Sequence, residues 1–222
     1  MSDNTSYKRF AIAFLWSVVV WFGICPGAIA QSLNDRWVQF PDWQSKPSVQ
    51  AAKGDLVYPE WMAGTWEVTS TLVEAIAPLA PTVMTPGFES NRQSIDRPIL
   101  FQVRFIPQPL PPISPGIFPI STRSVQTAPI VADRAFNGLN IARAYLGEAG
   151  VRSVKVDPDN PNREITTLAD RRQLVSVVTG RSQETPNPDR FLATEFLNQV
   201  FRSTEQIYLN QVEISTAYRL IS

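Results

Sequence analysis

The sequence predicts a mainly β protein, an antiparallel β-barrel with one short helix and a long proline-rich loop. Several segments alternate apolar and polar side chains with a period of two, which is typical of half-buried strands. Turn residues separate most of these segments, so consecutive strands are expected to pair antiparallel in a sheet that closes on itself. The chain of 222 residues has 19 prolines, and 11 of them lie between Pro78 and Pro129. That concentration indicates one long irregular excursion.

Two early strands show the alternation most clearly. The first starts near Thr65 and places these side chains on one face: Trp66, Val68, Ser70 and Leu72. The second lies between Pro98 and Pro107 and does the same with Ile99, Phe101, Val103 and Phe105. Because most of the alternating positions are polar, both apolar sets are expected to face the barrel interior.

A proline-rich segment, "QPLPPISPGIFPIS", covers residues 108–121. Proline has no backbone N–H to donate, so such a tract favours polyproline II and cannot enter the interior of a sheet. Two interpretations remain open for it. The tract is either a wrap packed over the barrel, or a lid or docking strip for a partner.

The segment from Asp133 to Gly150 is the best helix candidate. Apolar side chains recur in it at helical spacing: Leu139, Ala142, Tyr145 and Leu146. Asn137 with Gly138 is a candidate start, and Gly147 or Gly150 is a candidate end. One short helix beside strands is typical of a lid or capping element.

The rest of the chain is rich in strand patterns, which brings the predicted strands to seven. Residues 151–157, 163–168 and 172–180 are strand candidates joined by turn residues. Residues 189–203 suit either a helix or a strand, and we favour a strand. Residues 207–222 alternate clearly, with one largely apolar face: Tyr208, Val212, Ile214, Tyr218 and Leu220.

The N-terminus predicts a secretory signal peptide over residues 1–30. Lys8 and Arg9 precede an apolar run of fifteen residues, and small residues near its end favour cleavage after Ala30. An uncleaved membrane anchor is the alternative. The run is shorter than the roughly 20 residues that a spanning helix needs, so we favour cleavage and export.

The predicted mature chain has two parts. Residues 31–57 are interpreted as an N-terminal arm, and residues 58–222 as the β-barrel domain. The arm carries three aromatic residues: Trp37, Phe40 and Trp43. They either pin the arm to a groove of the domain or contact a partner protein.

Several chemistries are excluded by residues that the sequence lacks. There is no histidine, and the single cysteine, Cys25, lies in the predicted signal peptide. The mature chain therefore cannot form Ser-His-Asp or Cys-His sites, disulfides, or the usual zinc, copper and haem ligand sets. Glycine motifs that bind phosphate are absent as well. We predict no enzymatic activity, no cofactor and no metal site.

Charge and carboxylates narrow the functions further. The formal net charge is zero, so no nucleic-acid partner is predicted. Four glutamates lie on strand candidates: Glu67, Glu74, Glu195 and Glu213. A pair of carboxylates can act as general acid and base, so an isomerase or hydrolase of that kind stays open as a minor hypothesis.

The stretch "YPEWMAGTW" runs from Tyr58 to Trp66 and leads into the first alternating strand. Its "GTW" resembles the GxW motif that opens the first strand of lipocalins and other calycins. The resemblance implies a calycin or lipocalin-like barrel in which a buried Trp66 closes one end and Gly64 lets the backbone pass closely. It also implies that an arginine near the last strand packs across the tryptophan, and Arg219 is the candidate.

A longer resemblance includes this stretch and three further segments: "TPGFESNRQS", "FQVRFIP" and "YLNQVEISTAYRL". Together they are similar to a family of cyanobacterial and plastid proteins with thylakoid-lumen targeting. The similarity covers the chain from about Tyr58 onward. It implies an exported protein of the thylakoid lumen or periplasm, and it implies no activity and no catalytic residues.

Two functions fit these expectations. Small barrels either fill their interior with side chains or hold one small ligand. The first hypothesis is non-enzymatic binding of a small apolar ligand (lipid, pigment or quinone), with these contact residues: Trp66, Phe101, Phe105, Phe196, Tyr208 and Tyr218. The alternative is an accessory or assembly factor, a protein-binding scaffold for a thylakoid membrane-protein complex. A hollow interior favours the first hypothesis, and a filled core with an exposed apolar strip favours the second.

Overall fold

The computed structural model describes the following residues: 32–40, 43, 46–76, 88–108 and 128–221. The predicted signal peptide and most of the proline-rich tract lie outside these ranges. The chain forms two compact units, Met1–Ser48 and Val49–Ser222. Just over half of the described residues lie in strands, and the sheets are antiparallel, so this part of the fold prediction is confirmed.

In the first unit, helix α1 spans Leu33–Val38. Ser32 caps it, since its hydroxyl oxygen accepts a hydrogen bond from the backbone N–H of Asp35 at 3.0 Å. The guanidinium of Arg36 lies 4.2 Å from the centre of the Trp43 ring, and the indole N–H of Trp43 donates to the Arg36 carbonyl at 2.7 Å. This aromatic residue of the predicted arm therefore folds back on a short helix.

No helix in the described ranges combines the length and the apolar character needed to cross a bilayer.

The larger sheet of the second unit has six strands. They are β1 (Gln50–Ala51), β6 (Val151–Asp157), β7 (Asn160–Leu168), β8 (Gln173–Asn187), β9 (Arg190–Arg202) and β10 (Ile207–Arg219). The order is β10-β9-β8-β7-β6, and β1 pairs with β8. The segment that suited either a helix or a strand forms β9, which confirms the strand prediction there.

The smaller sheet has four strands. They are β2 (Val57–Tyr58), β3 (Gly64–Thr71), β4 (Pro98–Pro107) and β5 (Ile130–Ala132), in the order β2-β5-β4-β3. The two early strands of the sequence prediction are confirmed as β3 and β4, which pair with Trp66 opposite Val103. A short helix, α2 (Phe88–Arg92), lies between them in the chain.

Helix α3 spans Arg134–Leu146 and confirms the predicted helix. It begins before Asn137 because Asp133 caps it, with a side-chain oxygen that accepts a hydrogen bond from the N–H of Phe136 at 3.1 Å. It ends at Gly147, whose φ of 76° is a left-handed conformation that glycine adopts at little cost. The helix packs against β4 of the smaller sheet and against β6 and β7 of the larger one.

The closed barrel is not found in the described residues. β10 pairs with β9 and β3 pairs with β4, but β10 and β3 do not pair with each other. Helix α3 packs against β4 of the smaller sheet and against β6 and β7 of the larger one, so helix packing and the core, rather than strand pairing, join the two sheets. A helix satisfies its backbone groups internally and so cannot continue a strand ladder. The second unit is therefore two open sheets with a helix between them.

Two clusters of buried side chains form the core of this unit. The first joins the two sheets: Leu56, Met62, Phe105, Ile130, Phe191 and Ala193. Tyr58 packs against it, with its ring centroid 4.7 Å from that of Phe105 and 5.5 Å from that of Phe191. The second cluster contains Val151, Val154 and Leu168, with Leu139 and Ala142 of α3 packed on it.

The prediction that Trp66 is buried is wrong, because the residue is 42% exposed. β3 is an edge strand, and the indole N–H of Trp66 donates to the carbonyl of Met62 at 2.8 Å, which ties the ring to the turn before the strand. Gly64 has a φ of 121° and no atom within 4 Å of a Cβ built on it, so the backbone conformation rather than a close approach requires glycine. Arg219 is exposed and lies 3.7 Å from the carboxylate of Asp189.

Leu192→Ala is expected to lower the free energy of unfolding by about 2–5 kcal/mol, because it opens a cavity at a buried leucine. Leu192 on β9 is 1% exposed. The matched control is Leu209→Ala on β10, where the side chain is 69% exposed and the change should stay within about 0.5 kcal/mol. Urea unfolding followed by tryptophan fluorescence measures both, and equal losses would contradict the burial of β9.

Candidate functional site

The larger sheet arranges its inner side chains in rows, because the register between β7, β8, β9 and β10 is regular over most of their length. A row termed here the polar row consists of Glu164, Ser176 and Gln199. The neighbouring row on one side holds Thr166, Leu174 and Phe201. On the other side come Val178 with Leu197, and then Arg181 with Glu195 and Ile214. Two mainly apolar rows thus enclose a polar one.

A partly open cavity of about 730 Å³ lies between α3 and these rows. The helix contributes one face of the lining: Arg134, Asn137, Gly138, Ile141, Ala142 and Leu146. Their spacing of three or four residues places them on the same side of the helix. The polar row and the rows beside it form the opposite wall, so the cavity has mainly apolar walls with a few polar groups.

Four charged side chains lie together at the Arg134 end of the cavity and are termed the ionic cluster: Asp55, Arg134, Arg181 and Glu195. Arg181 Nη2 lies 2.6 Å from Glu195 Oε1, and Arg134 Nη2 lies 3.2 Å from the same oxygen. Arg134 Nε lies 3.6 Å from Asp55 Oδ1. The Arg181 side chain is only 10% exposed and that of Glu195 17%, so solvent screens this contact weakly.

A β-bulge turns Arg181 towards the interior. Val178 faces the cavity, and regular alternation would send residue 181 to the other face of β8. The register shifts between Val178 and Gly180, and this extra residue reverses the alternation. Arg181 then donates to the carbonyl of Gly54 and to Asn162 Oδ1, each at 3.0 Å, as well as to Glu195.

Burial perturbs the acids around the cavity. Burial raises the pKa of the Glu164 carboxyl, and the positive charge of Arg134 opposes this shift without cancelling it. Burial likewise raises the pKa of Asp55, which Arg134 and Arg181 oppose. No hydrogen bond from the described residues reaches the Glu164 carboxyl, so it keeps its proton to a higher pH than an exposed glutamate does.

Two tyrosines, Tyr58 and Tyr218, pack against the core cluster that joins the two sheets. Burial raises the pKa of the Tyr58 and Tyr218 phenols, which are hydrogen-bonded to each other. Tyr58 also lines the cavity. Both phenols therefore stay protonated at neutral pH and above, and they act as neutral hydrogen-bonding groups.

The six aromatic residues predicted to contact a ligand lie elsewhere in the unit, since the described lining of the cavity includes none of them. Phe105 belongs to the core cluster between the sheets, and Tyr218 packs against it. Phe196 is buried, but alternation along β9 places it on the face opposite to Glu195 and Leu197.

The other three predicted contact residues, Phe101, Tyr208 and Trp66, lie on three different strands. Phe101 is half-buried on β4 opposite Val68, and Tyr208 is half-buried on β10 opposite the cavity residue Phe201. Trp66 is largely exposed on its edge strand, as described above. Of the predicted set, these three and Phe196 do not meet at one place in the described structure.

Several residues at the cavity were not among the predicted site residues, notably Arg134, Glu164 and Arg181. One signal was available: Glu195 interrupts the buried run "FLATEFL", and a charge in such a run needs a partner. Within the described ranges, no group of three or more metal-ligating side chains is placed to hold a metal ion.

Glu195→Gln is expected to lower the free energy of unfolding by about 3–5 kcal/mol, because it deprives Arg181 of its buried carboxylate partner. The control is Asp170→Asn, which makes the same chemical change in an exposed pair with Arg172. That control should cost no more than about 1 kcal/mol, and asparagine tolerates the positive φ of 54° at this position. Urea unfolding measures both variants. A cost for Glu195→Gln no larger than the control would contradict a structural role for the ionic cluster.

The raised pKa of Glu164 predicts a pH dependence of stability. At a pH below the ordinary pKa of 4.5, the carboxyl is protonated in both the folded and the unfolded chain and does not lower the free energy of unfolding. Above it the unfolded chain ionises first, so stability falls as the pH rises through the raised folded-state pKa and then levels off. Relative to wild type, Glu164→Gln should therefore gain stability with rising pH over this window. Urea unfolding of both proteins across acidic and neutral pH measures the difference, and a difference independent of pH would contradict the burial of Glu164.

Comparison with known proteins gives one family. A family described as "Domain of unknown function (DUF6816)" matches residues 50–222. No curated protein and no solved structure shows significant similarity to the chain. The match begins at β1, close to the start of the second compact unit, and includes every residue that lines the cavity. Since the match covers most of its length, the chain belongs to the DUF6816 family.

Proposed function

We propose that the protein binds a small apolar molecule in the cavity beneath α3 and catalyses no reaction on it. The observation that supports this proposal is the cavity itself. Its volume of about 730 Å³ falls within the range of about 300–1,000 Å³ that is usual for small-molecule sites. Its combination of apolar walls with a few convergent polar groups is also usual for such sites.

The apolar walls supply the driving force for binding. Leu174 and Phe201 line one side of the polar row, Val178 and Leu197 line the other, and Ile141 faces them from the helix. Each square ångström of apolar ligand surface removed from water contributes about 25 cal/mol. A lipid chain, a pigment or a quinone, the ligands expected from the sequence, presents this kind of surface.

The proposed binding needs neither a closed barrel nor a particular location of the protein. The cavity lies between an open sheet and α3. A binding site therefore does not depend on the closed calycin-like barrel that the "GTW" motif predicts. Residues 1–30 have the composition of a signal peptide. We therefore propose that the protein acts after export, in the thylakoid lumen or the periplasm.

A carboxylate enzyme is less well supported. Its motive would be that Glu164 and Glu195 both line the cavity. However, Glu195 Oε1 accepts hydrogen bonds from three nitrogens of Arg181 and Arg134, at 2.6, 2.9 and 3.2 Å. A carboxylate oxygen that two arginines already engage is occupied by these contacts, which favours a structural role for Glu195.

A scaffold function rests on a different observation, the exposed aromatic residues Trp37 and Phe40 in the first unit. Exposed apolar side chains of this kind mark protein-interaction sites in other proteins. Co-purification with membrane complexes of the host, compared between the full chain and a variant with Trp37→Ala and Phe40→Ala, separates this function from ligand binding. Neither residue belongs to the described lining of the cavity.

Ser176→Phe is expected to abolish saturable binding of the apolar dye Nile red, because the new ring would occupy the middle of the cavity. The control is Asn198→Phe, which adds the same ring at an exposed position of β9 outside the cavity lining. Fluorescence titration of the purified mature chain measures binding, and circular dichroism checks the fold of both variants. Undiminished binding by a folded Ser176→Phe variant, or none by wild type, would contradict the proposed site.

Native mass spectrometry and lipid extraction of protein purified from its own host identify the natural occupant. A cavity that is empty in every preparation, together with no dye binding, would overturn the proposal.

A further inference from the structure

The polar row is unusual in its position. Glu164, Ser176 and Gln199 lie side by side across three strands, and all three line the cavity. On both sides the neighbouring rows are mainly apolar, so the polar groups are not part of a solvated edge. Resting on the proposed function, we propose that the occupant is an uncharged, elongated apolar molecule with a carbonyl group that the polar row binds.

The charges around the cavity favour an uncharged occupant. The ionic cluster contains two arginines and two carboxylates, so its formal charges cancel, and its members already contact each other. An anionic ligand would lie near Glu195 without a free cation in this cluster, and Arg172, the other arginine of the lining, is paired with Asp170 at 3.5 Å. A cationic ligand would need an ionised Glu164. Placing an unpaired charge among apolar rows is costly, whereas a neutral molecule has no such cost.

The polar row offers donors to the ligand. Gln199 Nε2 donates to Ser176 Oγ at 3.4 Å, which leaves the Ser176 O–H and the second Gln199 N–H to be directed into the cavity. Glu164, whose burial favours the protonated form, adds a carboxylic O–H. A carbonyl oxygen has two lone pairs, so it can accept hydrogen bonds from two of these three donors at once.

The helix sets the shape of the occupant. A Cβ at Gly138 would lie 3.0 Å from Glu164 Oε1 and 2.9 Å from Val154 Cγ1, so α3 comes close to the sheet at the polar row. From there to Leu146 the helix rises by about 1.5 Å per residue, which gives roughly 12 Å of cavity. Ile141, Ala142 and Leu146 line this length, so an apolar tail fits between the polar row and the Leu146 end.

The test is displacement of Nile red from the purified mature chain in mildly acidic buffer. Four competitors of equal chain length are compared: decane, octyl methyl ketone, decanoate and decylammonium. In wild type the ketone should bind more tightly than both ions. In Glu164→Leu the affinity ratio of ketone to decane should fall by about tenfold, since a buried hydrogen bond is lost. In Glu164→Gln the ratio should stay within about threefold of wild type, because the amide still donates a neutral N–H.

Gln199→Leu provides a second variant in case Glu164→Leu does not fold, and it should lower the same ratio. The inference is overturned if the ratio is unchanged in the folded leucine variants, or if decanoate or decylammonium binds more tightly than the ketone. In those cases binding of Nile red and decane still supports the proposed function. Failure of Nile red and decane to bind wild type at all would overturn the proposed function instead.

Discussion

The buried contact between Arg181 and Glu195 fixes segments that are far apart in the sequence. Arg181 also donates through Nη1 to the carbonyl of Gly54 before β2, and through Nη2 to the side chain of Asn162 on β7. Glu195 holds Arg134, the first residue of α3. Burying two charges is costly, and the cost is offset only when hydrogen bonds satisfy them, as three donors on one carboxylate oxygen do here. The start of the helix, the entry to the smaller sheet and the larger sheet thus depend on one pair.

This anchoring explains why a cavity exists beneath the helix. Arg134 fixes the start of α3, while Leu139 and Ala142 further along it pack on the cluster of Val151, Val154 and Leu168. Past Gly138, where the helix comes close to Glu164, it presents the small residue Ala142 towards a sheet that presents Ser176. Small side chains on both sides of a fixed gap leave volume unfilled.

The long strands and the helix could be predicted from the sequence, but the contacts between them could not. β3, β4, β10 and α3 carry enough residues to show their periodicity, whereas β1, β2 and β5 have two or three residues each and show none. β9 was ambiguous because Phe191, Leu192, Ala193 and Thr194 are all buried, which removes the alternation of a half-buried strand. The bulge at Thr179 reverses the alternation of β8 and brings Arg181 inside, and nothing local in the sequence marks it. The contact between Arg134 and Glu195 spans 61 residues, so no pattern within a single segment could reveal it.

The polar row is the place where the second unit departs from the rules that otherwise govern its core. A domain that needed only stability would have apolar side chains at Glu164, Ser176 and Gln199, because buried polar groups with weak or missing partners lower the free energy of unfolding. The ionic cluster shows that this fold can satisfy buried polar groups fully, with distances down to 2.6 Å. In the polar row, by contrast, the one internal hydrogen bond is 3.4 Å long, and no described donor reaches Glu164. Departures of this kind concentrate at functional sites, which supports the proposal that the polar row binds an occupant.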